Sequence, residues 1–467
     1  MAATGTAWHS DRWFVSPWNY LDEVMRGASL PKRVKFHDVC LRDGEQQAGV
    51  EFTPSEKVRL ATMLAEAGVH RIEAGMPAVS PMDAKAITEI VKKNLPAEIF
   101  AFARCMKEDV KRSVDTGVKG IVMEVPSSEH IIEHAYKWTL ERAIATSIEA
   151  TQYAKSQGLY VVFFPIDASR ADMNWYLKVI EQVAAEGHMD ALALVDTFGV
   201  LSPHAVAYFV RKTRERIKKP LEAHFHMDFG MGVANTVIAL SEGAEVVHST
   251  ISGIGERAGN VPTEDTVLAL LTMYGVDTGI KTEKLTKLSQ YVRQIARQPM
   301  PSNRQIVGDR LYDIESGIIA TWFKNAGQEH ILEVFPFHWD LVGQRAPRVV
   351  LGKNSGVDSI GIHLQRIGVK ATDEQVNDIL MRVKRASLKK KGLLDDAEFR
   401  QIVGDVVPGA RDRVKRSAAP ARTGGNGGVR RASTGARVTS ASPKRSSKAA
   451  VPPRLPGARA ARPGSRA

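Results

Sequence analysis

Residues 221–235 read LEAHFHMDFGMGVAN. Glu222, His224 and His226 stand at alternate positions there, with Asp228 following. In a β-strand alternate side chains share a face, so these groups would point one way and Leu221, Ala223 and Phe225 the other. A polar stripe on a buried strand is costly unless its groups are paired. Two readings fit. One is an edge strand whose polar side faces water. The other is a metal, because two imidazoles at i and i+2 beside a carboxylate can converge on one cation. The stretch by itself leaves both open.

The elements that would position such a stripe repeat along the chain. Short β-rich runs fall at 34–39, 70–74, 98–103, 120–125, 159–164, 190–195, 221–226 and 245–250. Between them lie stretches such as SEKVRLATMLAEAG and LERAIATSIEATQYAKSQG, whose apolar residues recur at three and four, the period of an amphipathic helix. Eight β/α units in about 245 residues suit a (β/α)8 TIM barrel, an α/β fold. A doubly wound sheet is the alternative, but no glycine-rich dinucleotide fingerprint follows the first run. A barrel places its chemistry at the C-terminal ends of its strands. Seven of the eight runs end in charged or glycine-rich sequence, among them DVCLRDGEQ, EAGMP, Arg104, PIDASR, DTFG, HFHMD and SGIGERAGN. The fourth run, GIVMEV, adds none.

Composition bounds the rest. The net charge of +12 is misleading, because residues 411–467 hold 15 Lys and Arg against the single acid Asp412. The other 410 residues carry 49 basic and 51 acidic groups, so the folded part is nearly neutral. The tail has no aromatic residue and much Gly, Pro, Ser and Ala, too little apolar surface to fold alone. It is expected to be disordered, with at most non-specific, salt-sensitive contact with nucleic acid. Two cysteines, no signal-peptide pattern and no membrane-length apolar run fit a cytoplasmic protein. The expected layout is an N-terminal arm at 1–32, a catalytic barrel at 33–275, a mostly helical linker at 276–345 and a small α/β cap at 346–405. Trp8, Trp13 and Trp18 of the arm are expected to pack on the barrel or on a partner subunit.

The motifs LRDGEQ, EAGMP, DTFG, HFH.D.G.GVAN, GIGERAGN and LGKNSG occur in order at matching strand ends. Together they resemble the DRE-TIM metallolyases, and most of all the homocitrate, isopropylmalate and citramalate synthases. The resemblance spans about residues 33–360. It implies a divalent metal (Mn, Zn or Mg) held by Asp43, His224 and His226, with Asn260 near the fourth position. It implies a Claisen-type condensation of acetyl-CoA, as cosubstrate, with a 2-oxo acid, in amino-acid or carboxylic-acid biosynthesis. Arg42 is similar to the family's oxyanion-stabilising arginine. Thr197 and Arg104 resemble residues that hold the 2-oxo acid's carboxylate, and Gln46 and Glu73 line the same mouth. A homodimer is expected.

Several positions depart from the family pattern. Met227 stands where an asparagine is usual, Ile166 where a glutamate follows strand 5, Ile319 where a histidine follows the barrel, and Leu332 where a tyrosine precedes Glu333. The histidine and tyrosine of proton transfer are thus absent. Glu222, on the metal face of strand 7, is the residue expected to remain catalytic. The alternatives are a carbon–carbon lyase resembling hydroxymethylglutaryl-CoA lyase, and a non-catalytic barrel that acts through its basic tail.

Overall fold

The computed structural model describes residues 6–410. The basic tail lies outside the described residues. Eight parallel strands close into a barrel in chain order, with β8 pairing back on β1. They are β1 (Lys35–Asp38), β2 (Arg71–Glu73), β3 (Glu98–Arg104), β4 (Gly120–Pro126), β5 (Tyr160–Ile166), β6 (Ala191–Asp196), β7 (Leu221–Phe225) and β8 (Val246–Ser249). Each lies within one or two residues of a run marked by the sequence.

A short helix α1 (Asp22–Met25) belongs to the N-terminal arm. The barrel helices are α2 (Pro54–Ala67), α3 (Pro81–Lys92), α4 (Lys107–Asp115), α5 (Leu140–Ser156), α6 (Met173–Glu186), α7 (Pro203–Arg216), α8 (Gly232–Ser241) and α9 (Thr263–Met273). Their starts follow local chemistry. The Thr53 hydroxyl accepts from the Glu56 amide and the Glu56 carboxylate accepts from the Thr53 amide, a reciprocal cap. Ser80 and Ser202 cap α3 and α7, each followed by proline at the first helical position. α2 ends at Gly68, in the left-handed region at φ 92°.

The barrel interior is divided. β3 to β6 fill it with Phe100, Phe102, Val122, Val162, Phe164, Ala191, Ala193 and Val195. β1, β2, β7 and β8 line it with His37, Arg71, Glu73, Glu222, His224 and His248, all buried. A stripe of ionisable groups is tolerable there only because the groups face one another across the interior.

The region after the barrel is more helical than the sequence suggests. It holds α10 (Leu285–Ala296), α11 (Gly317–Ala326), α12 (Val357–Arg366), α13 (Asp373–Lys390) and α14 (Asp396–Val406). Its strand content among the described residues is one two-stranded parallel sheet, β9 (Asp313–Ile314) with β10 (Arg348–Val349). That sheet joins the expected linker to the expected cap, so a boundary at 345/346 cuts through a pairing. The cap is three helices around Leu351, Ile360, Leu364, Ile379, Val383, Phe399 and Val403. In the arm, Trp13 packs against Leu268, Leu341 and Val342, and the Tyr20 hydroxyl donates to the Thr272 carbonyl at 2.7 Å. Trp18 is 73% exposed. No helix among the described residues is long and apolar enough to cross a membrane.

Candidate functional site

At the C-terminal end of the polar half, Asp43 follows β1 while His224 and His226 come from β7 and its end. The Nε2 atoms of the two histidines are 3.3 Å apart. The Asp43 Oδ2 lies 3.4 Å from His224 Nε2 and 3.7 Å from His226 Nε2. Two atoms each about 2.1 Å from a shared ion, at tetrahedral or octahedral angles, stand about 3.0–3.4 Å apart. The three groups therefore fit a divalent cation. They are also buried, and Asp43 Oδ1 has no hydrogen-bond partner among the described residues. Burial pushes the His224 imidazole down to about 3, and it also lowers His226. Both rings are thus neutral, the form that ligates a metal. Burial alone would raise the Asp43 carboxyl, but the Arg42 guanidinium and the histidines hold it well below the usual range.

Arg42 is the hub beside this triad. Its Nε is paired with Glu73, and its Nη1 donates to Asp43 Oδ2 at 3.0 Å and to Gln46 Oε1 at 3.2 Å. The guanidinium carbon lies 4.0 Å from the centre of the Phe102 ring. Nη2 is buried and has no hydrogen-bond partner among the described residues. A buried, oriented and unsatisfied cationic donor beside three metal-ligand groups is a place for an anionic oxygen.

The loop after β8 closes over the triad. Asn260 forms a bridge with His226, and its amide donates to the Ile254 carbonyl at 3.3 Å. Two glycines make that approach possible. A Cβ on Gly259, at φ 85°, would sit 1.8 Å from the Gly253 carbonyl oxygen. A Cβ on Gly255 would sit 2.2 Å from Asn260 Nδ2 and 3.2 Å from Asp43 Oδ1. Thr197, after β6, accepts from the Asp167 amide at 2.8 Å. Arg257 ties its carbonyl to the Asp228 carboxylate.

The profile of the HMGL-like family matches residues 33–292. The chain belongs to the HMGL-like family. Similar proteins include the (R)-citramalate synthase of Methanocaldococcus jannaschii, 37% identical over 80% of this chain and 75% of that one. The homocitrate synthase of Methanopyrus kandleri is 35% identical over 84% and 98%. The 2-isopropylmalate synthase of Methanocaldococcus jannaschii is 36% identical over 83% and 74%. Among solved structures, hydroxymethylglutaryl-CoA lyase from Pseudomonas aeruginosa matches with a TM-score of 0.52 at 23% identity, over 58% of this chain and 95% of that one. At that identity the likeness speaks for the fold alone.

Within this HMGL-like barrel the residues singled out by sequence, Thr197 after β6 aside, divide into three groups. Arg42, Asp43, Gln46, Glu73, His224, His226 and Asn260 gather in one place. Arg104 stands apart: it is half exposed, and its guanidinium grips Asp109 through Nε at 2.8 Å and Nη2 at 3.1 Å. Glu222 stands two residues before His224 on β7. It does point inward from β7, but its carboxylate is fully buried between Arg71 Nη1 at 2.7 Å and His248 Nε2 at 2.7 Å. Burial would raise this carboxyl, yet the His248 hydrogen bond and Arg71 hold it below its ordinary value. This carboxylate is thus held by two close contacts inside the barrel.

Ile319, in the position expected to lack a proton-transfer histidine, packs in a small cluster with Ile314, Ala320 and Val349. One pair of polar residues escaped sequence reasoning. Glu124 on β4 is half-buried, and the Tyr136 hydroxyl donates to its Oε1 at 2.8 Å. The available signal was a lone charge in GIVMEVP, in phase with the inward-facing Val122.

Proposed function

We propose that this protein condenses an acyl-CoA, in the first instance acetyl-CoA, with a 2-oxo acid. The observation that carries this reading is the convergence of Asp43, His224 and His226 beside the unpaired Arg42 Nη2. Relatives bearing the names of citramalate, homocitrate and isopropylmalate synthases support the same reaction class. A divalent metal at the triad would supply Lewis-acid polarisation of the acid's ketone.

The chain's own residues do the rest. Arg42 presents Nη2 to the oxygen on which negative charge develops, and a prepositioned donor there needs no reorganisation during reaction. Glu73 and Gln46 fix the direction of that guanidinium, with Glu73 on Nε and Gln46 on Nη1. The ring of Phe102 covers its face and keeps water from it. Thr197 stands at the end of β6, within reach of a carboxylate in the mouth, its hydroxyl proton free while its oxygen accepts from Asp167. Arg104 would serve a carboxylate only by releasing Asp109.

The test is thiol release. Metal-loaded protein is mixed with acetyl-CoA and, in turn, pyruvate, 2-oxobutyrate, 2-oxoisovalerate and 2-oxoglutarate, with a thiol dye present. Acid-dependent release of CoA is expected with one of them. No release with any acid, from protein shown to hold its metal, defeats the reading.

A further inference from the structure

We propose that Glu124 and Tyr136 form the proton-transfer pair of the reaction, with Glu124 as base and Tyr136 as the group that orients and tunes it. This rests on the condensation reading above. The residues that do this work in similar synthases have apolar counterparts here, Ile319 and Leu332, and Glu222 is locked in the framework. A reaction that removes a proton from carbon still needs a base near the metal.

Glu124 is placed for that role. It lies toward the C-terminal end of β4, the end at which barrels do chemistry. In the strand register it pairs with Arg104 on β3 and with Phe164 on β5. The Phe164 ring lies 4.8 Å from the ring of His224 and 5.9 Å from the Arg42 guanidinium carbon. Glu124 is thus one strand and one ring away from a metal-ligand histidine, on the apolar side of the mouth.

Tyr136 comes from a turn of π-helix, Ile131–Tyr136, ended by Lys137 in the left-handed region at φ 55°. Such turns are rare and gather at functional sites. Among the described residues, Tyr136 is the only side chain that hydrogen-bonds the Glu124 carboxylate, which leaves Oε2 for substrate. Burial raises the Glu124 carboxyl above its ordinary value, while Tyr136, Arg42 and Arg104 pull it back and Asp109 pushes it up. The thiol of Cys105, next to Arg104, also feels the charge of Glu124. Its register partner on β5 is the apolar Phe164. A carboxylate made more basic by its surroundings suits a general base.

The step balances as follows. Glu124 accepts one proton from the methyl carbon of acetyl-CoA, and the C–H electron pair passes into the thioester as an enolate. That pair then forms the new C–C bond to the ketone carbon. The ketone's π pair settles on its oxygen, which receives the proton back. Water hydrolyses the thioester and CoA leaves as the thiol.

The full-length, metal-loaded protein is assayed with acetyl-CoA and the acid it turns over among pyruvate, 2-oxobutyrate, 2-oxoisovalerate and 2-oxoglutarate. Glu124→Gln is expected to lower kcat by about 10²–10⁴-fold, with the acid's KM and the metal content unchanged. It should also stop acid-dependent incorporation of deuterium from D2O into the acetyl-CoA methyl group. Tyr136→Phe removes a hydrogen bond that favours the ionised carboxylate. Its expected effect is a shift of the acidic limb of kcat to higher pH. If Glu124→Gln does not fold, that shift decides, and an unmoved limb in Tyr136→Phe overturns the proposal. A folded Glu124→Gln with wild-type kcat overturns the proposal and leaves the condensation reading standing. A wild type that releases no thiol with any of the four acids overturns both.

Discussion

His224 and His226 face each other through their Nε2 atoms at 3.3 Å, with both rings neutral. Two neutral imidazoles held this way gain most from a cation between them, and Asp43 supplies the charge. The protein should therefore bind one divalent ion per chain at this site. Asp43→Ala or His224→Ala should each remove it, as read by inductively coupled plasma mass spectrometry after gel filtration. Full occupancy in both variants would exclude this triad.

Glu222 and Arg71 form a buried ion pair, joined by His248. Breaking such a pair by neutralising one partner costs about 3–5 kcal/mol. Glu222→Gln should lower the urea midpoint accordingly while metal content stays at the wild-type level. Unchanged stability together with lost turnover would instead return Glu222 to a direct chemical role.

His37 is fully buried, and neither ring nitrogen has a hydrogen-bond partner among the described residues. Burial, then His248, Arg71 and Arg42, holds its imidazole well below 6.5. Below about 6.5 the unfolded chain therefore takes up a proton that the native chain refuses, and stability falls as pH drops through that value. The contribution is about 1.4 kcal/mol per pH unit for one such group. His37→Gln should flatten the dependence of unfolding free energy on pH, below 6.5, by that amount. An identical slope would mean that His37 is protonated in the native state.

Gly259 brings the chain over the metal-ligand groups at a separation no side chain permits. Gly259→Ala should displace the 253–260 loop and loosen Asn260 from His226. The readout is competition with a fluorescent chelator, with a weaker metal affinity expected and a circular dichroism spectrum like that of the wild type. Wild-type affinity would show that the loop has no part in the site.

Residues 411–467 carry the net basic charge, whereas the barrel and cap have their own apolar cores. A chain ending at Ala410 should keep the melting temperature and metal content of the full-length protein. It should lose retention on heparin, which in the full chain should fall steeply with salt. A lower melting temperature on truncation would assign the tail a structural part.

The sequence by itself determined the barrel. Its strand and helix periods are local properties, and eight repetitions leave little freedom in closing them. It also put forward Asp43, His224 and His226 as candidate metal ligands, because alternation on one strand aims the two histidines the same way whatever surrounds them, and the LRDGEQ motif sits at the end of β1, one strand beyond β8. It could not determine the partners of Glu222. The alternation that aims Glu222 inward does not say that Arg71 and His248 wait across the interior. It also gave Glu124 no weight, because one charge in an apolar strand has meaning only once Tyr136, twelve residues on, folds back through a π-helical turn to meet it. The same limit applies to the region after the barrel, where the two-residue strands β9 and β10 carry too little pattern to distinguish them from turns. Periodicity states which way a side chain points, and only the closed barrel decides what it meets there.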